Sequence, residues 1–181
     1  MPRPSKRILI LTLVVVGALA FAGVAAATEG AHFTQGGAPV CTDIGLQLEC
    51  TAEIAGLGQQ RVVGTINAPG ALAVNNICQN KGGGQAPGQN PAVDFTAQGS
   101  AVGVVDKNGR AFIDATTNSP SVSAKDAGCP NGNWTVIVGD VVFNSYSFTI
   151  TQGNTTLFTC TGSFPGGSSN NQSSTPTCVK G

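Results

Sequence analysis

Apolar and polar side chains alternate with a period of two along much of this chain. The alternation is clearest over residues 46–54, where every even position is apolar and every odd position is polar. It recurs over residues 93–97 and 146–150, and no segment after residue 27 has the i, i+3, i+4, i+7 spacing of an amphipathic helix. Alternation places one side of a strand against a core and the other in water. The sequence therefore predicts an all-β fold.

Turn-forming residues separate the predicted strands. Asn108-Gly109 is a strong signal for a β-hairpin between the strand-like segments on either side of it. Gln152-Gly153-Asn154 predicts a second hairpin, between residues 146–151 and 155–160. Further turns are predicted at Gly56-Leu57-Gly58 and Pro69-Gly70. About eight short strands joined by Gly-rich turns predict an antiparallel β-sandwich of the immunoglobulin-like type, with an open barrel as the alternative.

Two segments interrupt the alternation. Residues 80–91 are rich in Gly and Pro, which predicts a long exposed loop. Residues 161–177 are of low complexity and lie between Cys160 and Cys178, which predicts a mobile loop held at its base. Because no internal repeat and no second domain are visible, the prediction is one β-domain with two long polar loops.

The beginning of the chain has a different composition. Three basic residues within the first seven positions precede an uncharged stretch from Ile8 to Ala27, which ends in three alanines. Small residues before a cleavage point are typical of a secretory signal peptide. A retained membrane anchor is the alternative, because about 20 apolar residues can span a bilayer. We therefore expect a signal peptide over residues 1–27 and a secreted domain over residues 28–181.

The charge of the predicted mature domain excludes several classes of partner. Three of the 9 Lys and Arg residues lie before residue 28, which leaves 6 basic against 9 acidic side chains and a net charge of −3. Nucleic acid and anionic lipid both require clustered Lys and Arg. We expect no nucleic-acid partner and no membrane contact after cleavage. The partners left open are the cell wall, a polysaccharide or a secreted protein, and the sequence does not indicate an oligomeric state.

All six cysteines lie in the predicted mature domain, and an even number in a secreted chain predicts disulfides. There is no Cys-x-x-Cys pair and only one histidine, so no zinc site is predicted. Sequential pairing closes the shortest loops. It would join Cys41 to Cys50, Cys78 to Cys129 and Cys160 to Cys178. The alternative is a bridge between sheets from Cys50 to Cys160, as in immunoglobulin-like domains.

Candidate catalytic residues are few. His32 is the single histidine and lies near the predicted mature N-terminus, where chains are usually loosely held, and there is no G-x-S-x-G motif. A pair of carboxylates could hydrolyse a glycan, and the candidates are Glu49, Glu53, Asp94, Asp106, Asp114, Asp126 and Asp140. The two glutamates fall on the polar side of their strand. Asp106, Asp126 and Asp140 fall at predicted turns, where Asp commonly bonds the backbone. We therefore expect no catalytic site and no enzyme.

Three other motifs have ordinary explanations. Residues 81–84 (KGGG) lack the remainder of a phosphate-binding loop and predict a flexible loop. A calcium site built from Asp126, Asn131, Asn133 and Asp140 would lack EF-hand spacing. Asn133, Asn154 and Asn171 begin N-glycosylation sequences, which matter only in a host that glycosylates. We therefore expect no metal site and no cofactor.

Trp134 is the most ambiguous aromatic residue. It begins a segment in which Trp134, Val136 and Val138 share one face, and it follows Cys129 closely. These features favour a core position beside a disulfide. The alternative is an exposed platform that stacks on a sugar ring.

Short motifs at residues 54–58, 78–83 and 129–132 resemble those of small secreted bacterial proteins of the actinobacterial type. The likeness covers most of residues 46–160. It implies a fold type and an extracellular location, with no established activity to transfer. It also supports the pairing of Cys78 with Cys129, since both lie within the matching motifs.

The leading functional hypothesis is a secreted, non-enzymatic β-sandwich that acts as a binding or structural module outside the cell or at its surface, through its loops. The alternative is an inhibitor of an extracellular hydrolase, which would act through the loop between Cys160 and Cys178 with Phe164 as its contact residue. A glycan hydrolase that uses a carboxylate pair is the third hypothesis.

Overall fold

A computed structural model describes residues 30–181, and the predicted signal peptide over residues 1–27 lies outside them. The described residues form fourteen strands, and no helix among them is long and apolar enough to span a bilayer. The strands are β1 (His32–Phe33), β2 (Val40–Asp43), β3 (Leu48–Ala55), β4 (Val62–Val74), β5 (Ile77–Gln79), β6 (Gln85–Pro87), β7 (Ala92–Gly103), β8 (Ala111–Thr116), β9 (Thr135–Ile137), β10 (Asp140–Val142), β11 (Ser145–Gln152), β12 (Thr155–Ser163), β13 (Ser173–Ser174) and β14 (Thr177–Lys180).

One large antiparallel sheet is centred on β3 and is called the β3 sheet below. Ile54 pairs with Phe33 of β1 on one side and with Ala111 of β8 on the other, so these strands occupy opposite edges of β3. Cys50 of β3 pairs with Cys41 of β2 on one side and with Ala115 of β8 on the other. β2 therefore lies on the edge of β3 opposite β8, which is the edge that β1 also occupies. β13 pairs with the outer edge of β2 and completes the sheet.

The second large sheet is centred on β4 and is called the β4 sheet. β7 pairs with β4 along its length. On the other edge of β4, β11 pairs with the first half and β10 with the last three residues. β12 and then β14 follow beyond β11, and every pairing in the sheet is antiparallel.

The two large sheets pack face to face around a shared apolar core. Leu48, Ile54 and the residues between them at even positions are buried along β3, as the alternation predicted. Gly64 of β4 marks the contact between the sheets, because a Cβ there would lie 2.6 Å from a methyl of Ile113 in β8 and 2.8 Å from the Phe148 ring. The predicted all-β antiparallel sandwich is therefore confirmed.

The predicted turn at Pro69-Gly70 is wrong, because β4 continues through it as a bulge. Ala68 pairs with Ala97 and Ala71 with Phe95, so two residues of β4 oppose one residue of β7. Pro has no N–H to donate and is tolerated at bulges, and Gly70 has a φ of +66°, which glycine adopts freely. The strand therefore keeps its pairing on both sides of these two residues.

The Asn108-Gly109 turn forms, but the predicted hairpin does not. The Asp106 carboxylate accepts the backbone N–H groups of Asn108 and Arg110, which fixes the turn. However, β7 before the turn pairs with β4, and β8 after it pairs with β3. The turn thus carries the chain from one sheet to the other. The hairpin predicted at Gln152-Gly153-Asn154 is confirmed, since β11 pairs with β12 directly across it.

Residues 80–91 are not the long irregular loop that their composition predicted. Residues 85–87 form β6, which pairs with β5, and β9 pairs with the other edge of β5 to make a small third sheet. The Asn80 side chain closes the turn between β5 and β6, because its Oδ1 accepts the N–H groups of Gly82 and Gly84. The Gly-rich stretch is therefore a hairpin turn.

Residues 161–177 also differ from the mobile loop that was predicted. Phe164 and Ser168 are buried, and their backbone N–H groups donate to the carbonyls of Asn144 and Phe143. β12 extends into the segment as far as Ser163, and β13 forms within it. The segment is thus folded onto the sandwich by packing and hydrogen bonds.

The three disulfides follow the sequential pairing. Cys41–Cys50 joins directly opposed residues of β2 and β3, and Cys160–Cys178 joins directly opposed residues of β12 and β14. Cys78–Cys129 connects the small sheet to the segment that precedes β9. The alternative bridge between Cys50 and Cys160 is therefore absent.

Candidate functional site

A cleft of about 590 Å³ lies beside β9. Residues 134–138 form one wall, and residues of the 120–124 segment, together with Leu46 from the turn between β2 and β3, form the rest of the lining. Ligand sites typically occupy about 300–1,000 Å³, so this cleft is large enough for a small ligand or for one or two units of a polymer.

Local hydrogen bonds and one disulfide fix the segment that carries the cleft. The N–H groups of Ala127 and Cys129 donate to the carbonyls of Ser123 and Ala124, and Cys129 is joined to Cys78 of β5. The Trp134 N–H in turn donates to the Asn131 carbonyl at the start of β9. The two segments that line the cleft thus lie before and after Cys129 in the sequence, and the disulfide joins the chain between them to β5.

Trp134 is half-buried and lines this cleft, so it is not the core residue that was favoured from the sequence. The alternation is as expected, because Trp134, Val136 and Val138 share the more buried side of the segment. Residues from both sides of the segment line the cleft, and β9 belongs to the small third sheet and to neither of the two large sheets. Trp134 is therefore partly exposed where it borders the cleft.

The cleft lining is neutral. It consists of aliphatic residues, Trp134, Pro120, one serine and one threonine, and none of its residues ionises. A neutral lining with one aromatic ring favours uncharged ligands that can place a flat surface against that ring. The lining therefore offers no ionisable side chain that could act as a general acid or general base.

The catalytic candidates from the sequence lie elsewhere. His32 is exposed in β1, and its Nδ1 lies 2.7 Å from the Gly30 carbonyl oxygen. Glu49, Glu53 and Asp114 share the outer face of the β3 sheet, by their registers along β3 and β8. Glu53 lies 3.9 Å from Arg110 at this exposed face, and none of the three carboxylates lines the cleft.

The remaining acidic candidates serve local structure or lie apart. The prediction that Asp106 bonds its own turn is confirmed, and Asp126 accepts a hydrogen bond from the Ser123 hydroxyl. The Asp140 side chain accepts the N–H of Val141, the residue that follows it. Asp94 lies on β7, where it pairs with Leu72 of β4. In the described part of the chain no group of three His, Cys, Asp or Glu side chains could hold a metal ion.

Asp43 is a buried carboxyl that no motif in the sequence identifies. One carboxyl oxygen accepts the Gly45 N–H at 2.8 Å, and the other accepts the Ser168 hydroxyl. Burial raises the pKa of Asp43 above its ordinary value, the nearby Asp140 charge adds to the increase, and the two hydrogen bonds oppose it. Cys41 two residues earlier was the available signal, since alternation turns both side chains inward.

The contact residue of the inhibitor hypothesis is not accessible. Phe164 is 2% exposed and packs against the ring of Tyr146, with 5.6 Å between the ring centres. The segment between Cys160 and Cys178 therefore presents polar side chains outward and holds its one aromatic ring inside.

No protein-family description, curated protein or solved structure matches this chain. The resemblance to small secreted bacterial proteins stays a prediction.

Proposed function

We propose that the protein is a secreted, non-enzymatic binding module whose ligand site is the cleft beside Trp134. The observation that supports this proposal best is a ligand-sized cleft that is lined by the partly exposed Trp134 and by no ionisable side chain. Three disulfides support an oxidising, extracellular setting. The lack of ionisable groups in the lining supports binding without cleavage, because hydrolysis requires a positioned acid or base.

A sugar ring is the ligand that this lining favours. One side of a pyranose ring presents C–H groups, which pack on the flat face of an indole, while its hydroxyls stay in water at the open side of the cleft. Val136 and Val138 extend the apolar surface next to Trp134. A polysaccharide of the cell wall or of the surroundings therefore fits the site better than a charged partner.

We expect Trp134→Ala to weaken binding to insoluble polysaccharide at least about tenfold, because it removes the stacking surface. The measurement is co-sedimentation of the oxidised protein with cellulose, chitin and purified cell wall over a range of protein concentrations. Phe112→Ala is the matched control, since Phe112 is an aromatic residue that is 60% exposed and does not line the cleft.

Saturable binding that Trp134→Ala lowers and Phe112→Ala leaves unchanged would support the proposal. Equal binding by the wild type and both variants would mean that the polysaccharide binds at a site other than the cleft. Recovery of the wild-type protein in every supernatant would reject polysaccharide as the ligand class.

A further inference from the structure

Two rows of polar side chains cross the outer face of the β4 sheet, from β7 through β4, β11 and β12 to β14. Neighbours within each row are direct cross-strand partners. The first row is Ser100, Thr65, Thr149, Thr159 and Val179, and the second is Gln98, Asn67, Ser147, Thr161 and Thr177. These ten residues are called the hydroxyl face.

The hydroxyl face points away from the core. Ile66, Phe148 and Cys160 alternate with its members along three of the strands and are buried. Nine of the ten side chains can form hydrogen bonds and none of the ten ionises. Asp94 lies on the same side of β7 but beyond the two rows, whereas the outer face of the β3 sheet bears Glu49, Glu53 and Asp114. Within the described residues the two outer faces of the sandwich therefore differ in chemistry.

A recess of about 320 Å³ lies within this face, between β4 and β7. Thr65, Asn67, Gln98 and Ser100 supply its polar side chains. Gln98 Nε2 donates to Asn67 Oδ1 at 3.1 Å, which orients the two amides toward each other. This bond leaves the Asn67 Nδ2 group able to donate a hydrogen bond and Gln98 Oε1 able to accept one. The neighbouring hydroxyls of Thr65 and Ser100 can each donate or accept.

We propose that the hydroxyl face is a second binding surface, which takes a neutral glycan chain laid across the strands with one sugar unit in the recess. Neighbouring sugar hydroxyls are at once donors and acceptors, which matches the pair of free amide groups. Strands lie about 4.8 Å apart, so the second row, from Gln98 to Thr177, offers about 19 Å of continuous hydrogen-bonding surface. The surface is distinct from the cleft beside Trp134 and does not depend on it.

A glycan fits this surface better than the other neutral partner, ice. Ice would require a flat lattice of groups, but neighbouring strands in a sheet are twisted relative to each other by about 20–25°. A recess also interrupts the face between its first two strands. A flexible chain can follow both features, and a rigid crystal plane cannot.

The test is affinity electrophoresis of the oxidised full-length secreted protein in gels that contain laminarin, galactomannan, pullulan or hydroxyethyl cellulose. We expect at least one of these neutral polysaccharides to retard the wild type. Asn67→Ala combined with Gln98→Ala should weaken that retardation about tenfold, as the loss of two hydrogen-bonding groups implies. Thr51→Ala, on the outer face of the β3 sheet, is the matched control and should behave as wild type.

A second variant distinguishes a loss of binding from a loss of folding. Gln98 is exposed, so Gln98→Glu places a charge in the recess with almost no change in shape, and it should also reduce retardation. Retardation lost in Trp134→Ala but kept in both recess variants would overturn this proposal and leave the cleft as the site. The reverse result would support the hydroxyl face alone.

Absence of retardation by all four polysaccharides would also overturn the proposal. In that case, inhibition of ice recrystallisation by the wild type and its loss in Thr149→Lys would assign the surface to ice instead.

Discussion

Asp43 joins two distant parts of the chain through both its side chain and its backbone. Its carboxyl group accepts the hydroxyl of Ser168, while its backbone carbonyl accepts the Asn171 N–H and its own N–H donates to Gln172. The Ser168 hydroxyl also accepts the N–H of Phe143. A single buried acid therefore fastens the segment between Cys160 and Cys178 onto β2.

Replacement of Asp43 by Asn should change how stability depends on pH. Burial places the pKa of Asp43 above its ordinary value of 3.8, so between these two values the folded state holds a proton that the unfolded state has released. The free energy of unfolding therefore gains a contribution as pH falls through this window and loses it as pH rises. Asp43→Asn should lack this slope.

Urea unfolding of both proteins between about pH 3 and pH 7 measures the difference. Asp114→Asn, on the exposed outer face of the β3 sheet, is the control for removal of one acidic side chain. Parallel curves for Asp43→Asn and the wild type would mean that Asp43 titrates alike in both states.

Individual buried positions could be predicted from the sequence, but the partners of buried polar groups could not. Cys41 and Asp43 point inward by simple alternation along β2. Ser168, which makes the burial of Asp43 tolerable, lies 125 residues away in a segment without periodicity. Alternation reports the direction of a side chain, whereas a hydrogen bond between distant segments depends on the completed fold.

Turn-forming residues likewise predict local backbone shape but not how the neighbouring strands pair. Asn108-Gly109 and Pro69-Gly70 both have turn-forming residues, and both have a glycine with positive φ. The first nevertheless connects two sheets, and the second is a bulge inside β4. Local chemistry specifies the backbone angles at such positions, but only the strands available on either side decide whether the result is a hairpin, a crossover or a bulge.

β4 depends on a small residue where the two sheets meet. We expect Gly64→Ala to lower the free energy of unfolding by about 1–3 kcal/mol, because the new methyl would overlap Ile113 and the Phe148 ring. Gly132→Ala is the control, since no atom lies within 4 Å of a Cβ at that position. The urea midpoint at constant m-value reports the change. An unchanged midpoint for Gly64→Ala would show that the sheets separate enough to accept the methyl.

The sequence predicted only part of the cleft, because the cleft depends on how distant strands pair into a sheet. The sequence indicated that Trp134, Val136 and Val138 share a face, and it identified a sugar platform as one use of the indole. It could not indicate that β9 pairs only with the small third sheet, because β5 is far away in the sequence. Trp134 directly precedes β9 in that separate sheet, and it is half-buried beside the cleft instead of lying in the sandwich core.

Across the whole molecule, each disulfide acts within one layer. Cys41–Cys50 lies inside the β3 sheet, and Cys160–Cys178 lies inside the β4 sheet. Cys78–Cys129 holds the small sheet to the segment that forms the cleft. The two large sheets are therefore joined by apolar packing, by the chain itself and by hydrogen bonds such as that from the Tyr146 hydroxyl to the Ser174 carbonyl, without a disulfide between them.

The bridges should differ in how much they stabilise the fold. They span sequence separations of 51 residues for Cys78–Cys129, 18 for Cys160–Cys178 and 9 for Cys41–Cys50. Restriction of the unfolded chain then contributes about 4, 3 and 2.5 kcal/mol respectively, since a longer closed loop removes more entropy. Urea unfolding of the three double Cys→Ser proteins measures this order.

Removal of Cys78–Cys129 should also affect the cleft before the sandwich unfolds. This bridge joins the segment around residue 129 to β5 and so to the sheet that presents Trp134. In the double Cys→Ser protein we expect the single tryptophan to become more accessible to acrylamide quenching at urea concentrations where far-ultraviolet circular dichroism is still native. Coincident transitions by the two measurements would instead mean that the small sheet and the sandwich unfold as one cooperative unit.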